Sequence, residues 1–276
     1  MSGVVAAGFF DGVHLGHRKI LEGADAVLTF KNHPSSILRP DAEPTLLMTF
    51  AEKEEVIKSC GVKKVIALDF TRELASEPPE KFIEFLSSFS KIRCGADWRF
   101  GKGAKGDAEF LRARGFEVEV VQYAEFQGER ISSTRIRSAL KKGDLESANA
   151  MLGRNWSVLG EIVAGKGVGR ALGYPTVNLK ILNTPPELPA GVFEVSVFGV
   201  KAIANWGYAP TMGDDAWVEK TLEIHFKGDS PNVLDDIANL RQVKIEFTRF
   251  IRQERKFANF EELKRQIKED CEKVFN

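Results

Sequence analysis

Two histidines near the start of the chain have the type and spacing to stabilise charge on a phosphate. His14 and His17 are three residues apart and follow the apolar run Val4–Ala7. A tight glycine turn that begins at Gly8 leads from this run into a helix start, and Gly16, which has no Cβ, lets the backbone approach a nucleotide. A helix start offers free N–H groups and a positive dipole end, which suit a phosphate. The imidazoles could stabilise charge that develops at a phosphorus centre by donating hydrogen bonds to the phosphate oxygens, and the alternative is that they only cap the helix and pack.

A second candidate anion site lies between residues 131 and 137. Ser132, Ser133 and Thr134 open a predicted helix, and Arg137 follows one turn later. Hydroxyls, helix-start amides and a guanidinium together suit a polyphosphate. An ordinary Ser/Thr cap with solvated arginines is the alternative, which this segment alone would favour.

Residues 165–179 contain a third candidate phosphate site. Gly165, Gly167 and Gly169 alternate with other residues, and Arg170 follows them. The spacing differs from the G-x-G-x-x-G dinucleotide fingerprint, and a proline and a strand follow where that fingerprint needs a helix. The segment predicts a flexible glycine flap, with a plain glycine-rich turn as the alternative.

Two polar residues follow the flap on a predicted strand. Thr176 and Asn178 are two residues apart, so their side chains lie on the same face. Oxygen ligands at this spacing suit Mg²⁺ that bridges the phosphates of ATP. Polar residues on a solvated strand face are the alternative, and these residues alone leave the choice open.

The elements of the first half predict a parallel sheet. Thr49 and Glu52 have the spacing of a capping box at the start of one predicted helix. Alternating strands and helices are typical of a doubly wound, Rossmann-like α/β domain, which binds ligands at the carboxyl ends of its strands. The apolar runs cover residues 4–7, 26–30, 65–68 and 118–121, and the helical patterns between them include residues 50–60 and 79–89.

The second half, from Trp156 onward, predicts a small antiparallel β-barrel. Glycine and proline punctuate it, and residues 192–197 and 221–226 alternate with period two. An amphipathic C-terminal helix is expected over residues 260–274. The change of pattern places a domain boundary near Gly153.

Length and composition fit two modest domains. The chain has 276 residues, 43% of them hydrophobic, and the expected domains are residues 1–153 and 154–276. The 39 basic and 39 acidic residues cancel, so no nucleic-acid partner is expected. No apolar run is long enough for a transmembrane helix, and the first residues lack the basic region of a secretory signal. Three widely spaced cysteines suit a reducing compartment, so we expect a cytoplasmic location.

Four motifs of the first half, in this order, resemble the adenylyltransferase module of bacterial bifunctional riboflavin kinase/FAD synthetases. The H-x-G-H element alone would mark only the wider nucleotidyltransferase superfamily, whereas the combination is specific. The motifs are Gly8-x-Phe10-Asp11-Gly12-Val13-His14-x-Gly16-His17, Thr29-Phe30-x-x-His33-Pro34, Gly95-x-Asp97-x-Arg99-Phe100-Gly101 and Ile131-Ser132-Ser133-Thr134-x-Ile136-Arg137.

This resemblance implies roles for the motif residues. His14 and His17 would stabilise the transition state at the α-phosphate of ATP. The other implied residues would bind ATP and hold its triphosphate, and they are Gly8, Phe10, Asp11, Gly16, Asp97, Ser132, Ser133, Thr134 and Arg137.

The second half resembles the riboflavin kinase module of the same family, so the resemblance covers nearly the whole chain. It rests on the flap with Thr176 and Asn178 and on segments within residues 189–193, 204–211, 222–225 and 245–257. It implies that Thr176 and Asn178 hold Mg²⁺. The implied phosphate-binding residues are Gly165, Gly167, Gly169, Arg170, Thr176 and Asn178, and the implied flavin-binding residues are Asn205 and Arg252.

Glu223 is the residue that the resemblance implies as the catalytic base for riboflavin. A neutral ribityl hydroxyl benefits from a carboxylate that can take its proton. Alternation along residues 221–226 places Glu223 on the strand face opposite Leu222 and Ile224. The same alternation fits a carboxylate on a solvated face, which the residues alone would favour.

The resemblance as a whole implies a cytosolic bifunctional transferase. It would phosphorylate riboflavin to FMN in the C-terminal domain and adenylylate FMN to FAD in the N-terminal domain, releasing pyrophosphate. ATP and Mg²⁺ would serve both steps, no membrane partner is implied, and a homo-oligomer is left open. The alternatives are a riboflavin kinase with an inactive adenylyltransferase domain, and a non-catalytic flavin- or nucleotide-binding regulator.

Three departures from the family pattern stand out. The stretch from Arg18 to Leu28 is short, so we expect a helix of about two turns after the histidines. Phe9 and Asn32 stand where the family tends to carry Asn and Pro. Residues 226–240 lack the Asp-x-x-Leu-Tyr-Gly pattern common after the kinase's catalytic strand. We expect both activities to be retained.

Overall fold

The structure, a computed structural model, describes most of the chain as two compact units. The units are Met1–Arg135 and Ile136–Asn276. No helix within the described ranges combines the length and apolar composition needed to cross a bilayer. The described residues are 3–41, 44–163, 176–182, 185–208, 220–227, 240–255 and 257–275.

A five-stranded parallel sheet forms the centre of the first unit. Its strands are β1 (Val4–Ala7), β2 (Ala26–Phe30), β3 (Lys64–Leu68), β4 (Lys91–Gly95) and β5 (Glu117–Val121). Their order in the sheet is β3-β2-β1-β4-β5. The chain therefore builds outward from β1 first on one side and then on the other. Doubly wound sheets bind ligands at the carboxyl end of such a switch strand.

Short helices connect these strands. Helix α3 begins with a complete capping box, in which Thr49 and Glu52 each accept the other's backbone N–H. The helices are α1 (Leu15–Leu21), α2 (Pro34–Leu38), α3 (Phe50–Ser59), α4 (Arg72–Ser76), α5 (Pro79–Phe82) and α6 (Ala108–Arg112), and a hairpin of β6 (Glu125–Phe126) and β7 (Glu129–Arg130) follows.

Apolar residues bury both faces of the parallel sheet. Val5 and Ala7 of β1 pack in one cluster with Leu28, whereas Ala6 packs in a second cluster with Val27. Alternate residues of a strand point to opposite faces, so the two clusters cover the two sides of the sheet. Burial on both faces is typical of parallel sheets.

A closed antiparallel barrel forms the centre of the second unit. Leu222, Ile224 and Phe226 are buried, so Glu223 lies on the other face of their strand. The strands are β8 (Trp156–Val163), β9 (Thr176–Ile181), β10 (Gly191–Val197), β11 (Val200–Tyr208), β12 (Lys220–Phe226) and β13 (Gln242–Gln253), joined in the order β10-β11-β12-β9-β8-β13. The remaining helices are α7 (Ser133–Lys141), which begins in the first unit, and α8 (Leu145–Leu152) and α9 (Phe260–Phe275), which lie in the second.

Helix α9 covers part of the outer face of the barrel. Val274 packs in a small apolar cluster with Val192 of β10 and Ile203 of β11. Asp270 of the same helix is buried and pairs with Arg252 of β13 at 2.8 Å. One apolar and one ionic contact thus fix the C-terminal helix against the strands.

The fold class expected from the sequence is confirmed, with two differences in detail. The sequence pattern does not single out β4, because Lys91 and Arg93 interrupt its apolar residues. The helix expected over residues 79–89 is wrong in extent, since α5 gives way to a 3₁₀ turn at Ile83–Phe85. There the Ser87 hydroxyl donates to the carbonyl of Glu84 at 2.8 Å. The backbone N–H of Leu86 donates to the carbonyl of Ile83 at 2.9 Å, and this i→i+3 bond tightens the backbone into a 3₁₀ turn instead of a further α-helical turn.

Candidate functional site

A strained loop joins the carboxyl end of β1 to helix α1. Phe10 and Val13 have positive φ angles of 57° and 40°, although neither is a glycine. Such strain is costly and gathers at functional sites. Helix α1 has His14 as its N-cap, so the loop places His14 and His17 at the carboxyl edge of the sheet.

His14 and His17 form a stacked pair. Their ring centroids lie 3.6 Å apart, and Nδ1 of His14 accepts the backbone N–H of His17 at 3.2 Å. A ring nitrogen that accepts carries no proton, so His14 carries its proton on Nε2. A Cβ on Gly16 would lie 3.1 Å from Cε1 of His14, so glycine leaves room for this ring. Capping, one of the two roles the sequence left open, is therefore one function of His14.

The surroundings of His17 keep its imidazole neutral. Burial lowers the pKa of His17 well below its usual value, and the charges of His14, Lys53 and Arg130 lower this pKa further. Nδ1 of His17 is buried and makes no hydrogen bond to the described part of the chain. A neutral imidazole offers one N–H donor and one acceptor. The pair can thus donate hydrogen bonds without two full charges.

Gly8 and Phe10 support the histidine pair from the loop itself. The Phe10 ring is 2% exposed and lies edge to face with the His17 ring, with centroids 5.3 Å apart. A Cβ on Gly8 would lie 3.0 Å from the Phe10 ring. Glycine at this position therefore lets the strained aromatic residue fold back against the end of β1.

Asp11 and Ser133 connect the loop to the second predicted phosphate segment. The buried Asp11 carboxylate accepts the N–H of Leu47 at 3.0 Å, and the Ser133 hydroxyl donates to the Asp11 carbonyl at 2.8 Å. The structure thus brings the start of helix α7 to the histidine loop. Ser132 accepts a backbone N–H of the same helix at 3.2 Å, and Thr134 is exposed.

Asp97 and Arg137, two further predicted residues, are placed differently. Asp97 is exposed and pairs with Arg130 at 2.5 Å. The Arg130 guanidinium carbon also lies 3.5 Å from the centroid of the Tyr123 ring, and its charge helps to lower the pKa of His17. Arg137 lies one turn into helix α7 and is half-buried. These contacts therefore link Asp97 to Arg130, whose charge affects the pKa of His17.

Lys53 belongs to this site although the sequence motifs do not include it. It is 3% exposed, and its Nζ donates to the carbonyls of Phe9 at 3.0 Å and Phe30 at 2.7 Å. Burial lowers the pKa of Lys53 to about 8, and the charge of Asp11 opposes this. Helical spacing is the feature of the sequence that could reveal Lys53. It lies four residues before Ile57 on the buried side of α3, where an apolar residue is expected.

Glu223 lies in a row of residues across the barrel. It is directly opposite Asn178 of β9 and Asn205 of β11. Val192 of β10 is opposite Asn205, and Arg252 of β13 is opposite Val192. Residues directly opposite one another share a face of the sheet. The structure therefore brings four predicted kinase residues onto one outer face of the barrel.

Thr176 lies in the next row, opposite His225. His225 is buried and follows Glu223 by two residues, so the two share a face. The sequence motifs gave His225 no role, although the same period-two pattern that singles out Glu223 includes it. The predicted phosphate-binding residues of the flap lie outside the described residues, and they are Gly165, Gly167, Gly169 and Arg170.

A pocket of about 210 Å³ opens on this face of the barrel. Thr176, Asn205, Glu223 and Arg252 line it together with residues of helix α9 such as Ile267. Asn178 is on the same face, but it is not among the described residues that line the pocket. The pocket thus gathers a carboxylate, an amide, a hydroxyl and a guanidinium beside an apolar wall, which suits an amphipathic ligand.

Asp270 fixes Arg252 at the pocket wall. Nε and Nη2 of Arg252 donate to Oδ2 of Asp270 at 3.0 and 2.8 Å. Gln266 donates to the other carboxylate oxygen at 3.0 Å, and Asp270 is 3% exposed. A bidentate, buried pair of this kind holds its guanidinium in one orientation. Arg252 of β13 and Asp270 of α9 are 18 residues apart in sequence, and the motifs do not predict their contact.

Fold and sites together define a two-domain transferase that acts on phosphate groups. The parallel sheet carries a histidine pair at its switch strand, and the barrel carries a carboxylate in a pocket on its outer face. The family model described as FAD synthetase matches residues 1–135, and the model described as riboflavin kinase matches residues 152–276. The chain belongs to the bifunctional riboflavin kinase/FMN adenylyltransferase family.

Curated relatives match this chain over almost its whole length. The bifunctional riboflavin kinase/FMN adenylyltransferase of Bacillus subtilis (strain 168) is 32% identical, and the match covers 97% of this chain and 90% of the relative. The protein of the same description from Escherichia coli (strain K12) shows the same identity and the same coverage. Both relatives are described as bifunctional, with riboflavin kinase and FMN adenylyltransferase activities.

A crystal structure described as a macrolide-efflux protein from Streptococcus pneumoniae shares the fold. It has a TM-score of 0.87 and 30% sequence identity, and the match covers 100% of this chain and 94% of that chain. The description of that protein refers to efflux, whereas both family matches of this chain refer to flavin metabolism. The likeness between the two chains is therefore one of fold.

Proposed function

We propose that this chain phosphorylates riboflavin to FMN in its barrel domain and adenylylates FMN to FAD in its N-terminal domain. ATP is the co-substrate of both steps. The observation that carries the proposal is the presence of two chemically different polar sites, the His14–His17 pair at the end of β1 and Glu223 in the barrel pocket. The two sites fit transfer to nucleophiles of different basicity.

Adenylyl transfer needs charge stabilisation and positioning. A phosphate oxygen of FMN attacks the α-phosphorus of ATP, the bond to the bridging oxygen breaks, and pyrophosphate leaves. The attacking oxygen is already ionised, so no base is required. Nε2–H of His14 and the N–H of His17 donate to the α-phosphate as its charge develops.

The remaining predicted residues of the first site either hold the triphosphate of ATP or shape the loop beside it. The start of helix α7 is hydrogen-bonded to the histidine loop through Ser133 and Asp11, so the N–H groups of this helix start lie beside the loop, which supports a triphosphate bound there. Asp97 holds Arg130 in an ion pair and so acts on the histidine pair indirectly. The residues assigned to the triphosphate are Ser132, Ser133, Thr134 and Arg137, and those assigned to shaping the loop are Gly8, Phe10, Asp11 and Gly16.

Phosphorylation of riboflavin needs a base, because the ribityl hydroxyl is neutral at pH 7. Glu223 takes the hydroxyl proton as the oxygen attacks the γ-phosphorus of ATP and ADP leaves. Asn205 lies beside Glu223 across the strands and hydrogen-bonds the flavin substrate, and Arg252 binds it from the pocket wall. The family resemblance assigns Gly165, Gly167, Gly169 and Arg170, which lie outside the described residues, to the phosphates of ATP.

Mg²⁺ is assigned to Thr176 and Asn178. These residues share a strand face with the carboxylate of Glu223, and an all-oxygen donor set suits this ion. The described residues contain no group of three or more His, Cys, Asp or Glu side chains that could hold a metal unaided. The phosphates of ATP would therefore supply further ligands, as is usual for Mg²⁺. When bound, the ion neutralises charge on the transferred phosphate.

The proposal also covers the cellular location, the partners and the domain boundary of the enzyme. Free Cys60, Cys94 and Cys271 support a cytoplasmic location, and the zero net charge supports the absence of a nucleic-acid partner. A homo-oligomer is left open. We place the domain boundary at residues 153 and 154, since Gly153 ends helix α8 in a left-handed conformation with φ of 67°.

One incubation tests the proposed function. The purified chain is mixed with riboflavin, ATP and Mg²⁺, and the flavins are separated by chromatography. We expect FMN to form first and FAD to follow, with neither product when EDTA replaces Mg²⁺. FMN without FAD would identify a kinase whose adenylyltransferase domain is inactive. Riboflavin that stays bound to the protein and is converted to neither product would identify a flavin-binding regulator and refute the proposal.

A further inference from the structure

The ammonium of Lys53 bridges the carboxyl ends of two neighbouring strands. Its Nζ donates to the carbonyl of Phe9, just after β1, at 3.0 Å and to the carbonyl of Phe30, the last residue of β2, at 2.7 Å. The hydroxyl of Thr29 lies 3.4 Å from the same nitrogen and donates to the Phe9 carbonyl at 3.0 Å. One buried cation thus ties together the edge from which the histidine loop departs.

The position of Lys53 is fixed from its own helix. Lys53 follows Glu52 of the capping box, so the first turn of α3 is held by two reciprocal hydrogen bonds. Nζ also lies 4.1 Å from the centroid of the Phe9 ring and 5.3 Å from that of Phe50, within the range of cation–π attraction. The ammonium is held from several directions at once.

Burial of the Lys53 ammonium is unfavourable, because a lysine ammonium is normally solvated by water. Its hydrogen-bond partners are neutral oxygens, and burial lowers the pKa of Lys53 to about 8. A buried cation is costly unless it is well compensated, whereas an apolar side chain at this position would avoid the cost. An apolar side chain would, however, leave the Phe30 carbonyl without this donor and leave the Phe9 carbonyl held to β2 by the Thr29 hydroxyl alone. The hydrogen bonds of Lys53 to Phe9, Thr29 and Phe30 therefore indicate that the protein needs this loop held in one geometry.

We propose that Lys53 is a positioning residue for adenylyl transfer, which holds the loop carrying His14 and His17 at the carboxyl edge of the sheet. The inference rests on the proposed function, because it assigns Lys53 to the reaction of that same site. Phe10 and Val13 are held at positive φ immediately after the residue that Lys53 binds. A strained loop needs such external fixation to keep one geometry.

The charge of Lys53 also reaches the histidine pair. It helps to lower the pKa of His17 and so favours the neutral imidazole. Asp11, on the same loop, acts on Lys53 in the opposite sense and favours its charged form. Lys53 therefore acts on the site in two ways, by fixing the backbone before the histidines and by influencing the protonation of one of them.

Steady-state kinetics of three variants test this inference. Lys53→Met removes the donors, Lys58→Met is the matched control on the exposed side of the same helix, and Thr29→Val loosens the bridge while keeping the lysine. FAD formation from FMN and ATP is measured together with FMN formation from riboflavin in the same samples. For Lys53→Met we expect kcat for FAD formation to fall about 10- to 100-fold, with KM values for ATP and FMN within about threefold of wild type, because only the transition state needs the exact loop geometry.

The kinase rate of the same polypeptide and the Lys58→Met variant should match wild type. Wild-type kcat in Lys53→Met, or a loss confined to KM, would overturn the inference. If Lys53→Met loses its cooperative thermal transition, Thr29→Val decides: a lowered kcat supports the inference and an unchanged kcat overturns it. A wild-type chain that makes FMN but no FAD would refute the proposed adenylyltransferase function itself, and the inference with it.

Discussion

Nδ1 of His14 accepts the backbone N–H of His17 at 3.2 Å, so one member of the histidine pair is also the N-cap of helix α1. The two nitrogens of this ring have separate tasks. Nδ1 fixes the start of the helix, and the proton on Nε2 is the one proposed to act on the α-phosphate. The capping role and the catalytic role are therefore compatible, and they can be separated by substitution.

Substitution of His14 by asparagine should abolish FAD formation without unfolding the N-terminal domain. Asparagine is a good N-cap, so His14→Asn keeps the start of α1, whereas His14→Ala loses about 1 kcal/mol of stability. Both variants lack the Nε2 donor, and we expect each to lose about 10²- to 10³-fold in the rate of FAD formation. Thermal unfolding and the rate of FAD formation from supplied FMN measure the two effects. An active His14→Asn enzyme would show that His14 is only a cap.

Glu223→Gln should stop FMN formation and leave FAD formation from supplied FMN unchanged. The amide keeps the shape of the side chain but cannot take the ribityl proton, so we expect a loss of about 10²- to 10⁴-fold in kinase kcat. Glu246→Gln is the matched control, because Glu246 is a partly exposed carboxylate on the outer face of β13. Kinase assays on both variants check this, and equal rates in the two would remove Glu223 from the reaction.

Local patterns predicted most of the fold. The period-two runs at residues 192–197 and 221–226 match β10 and β12, and the Thr49–Glu52 box starts α3 as expected. Strand β4 was missed because Lys91 and Arg93 lie at its half-buried positions and salt-bridge to Glu119 of β5. Such cross-strand partners exist only once the sheet has formed, so a short window of sequence does not contain them.

The candidate sites also contain residues that a local motif predicts and residues that it does not predict. His14, Gly16 and His17 are neighbours in sequence, and their motif predicted a histidine site at the end of β1. Lys53 contacts a carbonyl 44 residues away, and Asp270 contacts a guanidinium 18 residues away on another element. These contacts depend on how helices pack on strands, which residue types and spacing do not specify.

Asp270→Asn should weaken binding of riboflavin through Arg252. Asparagine cannot form the bidentate ion pair, so the guanidinium loses its fixed orientation at the pocket wall and helix α9 loses its ionic contact. Breaking a buried pair on one side costs on the order of 3–5 kcal/mol. We expect the KM for riboflavin to rise more than kcat falls, together with a lower urea midpoint. Glu269→Gln, on the exposed side of the same helix, should match wild type, and a wild-type KM in Asp270→Asn would count against a role of Arg252 in flavin binding.

The buried Lys53 should make the stability of the N-terminal domain rise with pH. Its pKa is lowered from 10.5 to about 8 by burial, so between these values the unfolded chain holds a proton that the folded chain has released. The free energy of unfolding therefore increases as the pH rises from about 8 to about 10, and the full effect is about 3 kcal/mol. Asp11 and His17 face Lys53 electrostatically, and both residues are present in Lys53→Met. Burial, the largest cause, keeps the pKa of His17 below its usual 6.5, outside the window from about pH 8 to about pH 10. Urea denaturation of both proteins from pH 7 to pH 10 isolates the lysine: the difference in unfolding free energy should shift in favour of wild type as the pH rises, and a difference that is independent of pH would show that Lys53 titrates as an ordinary surface lysine.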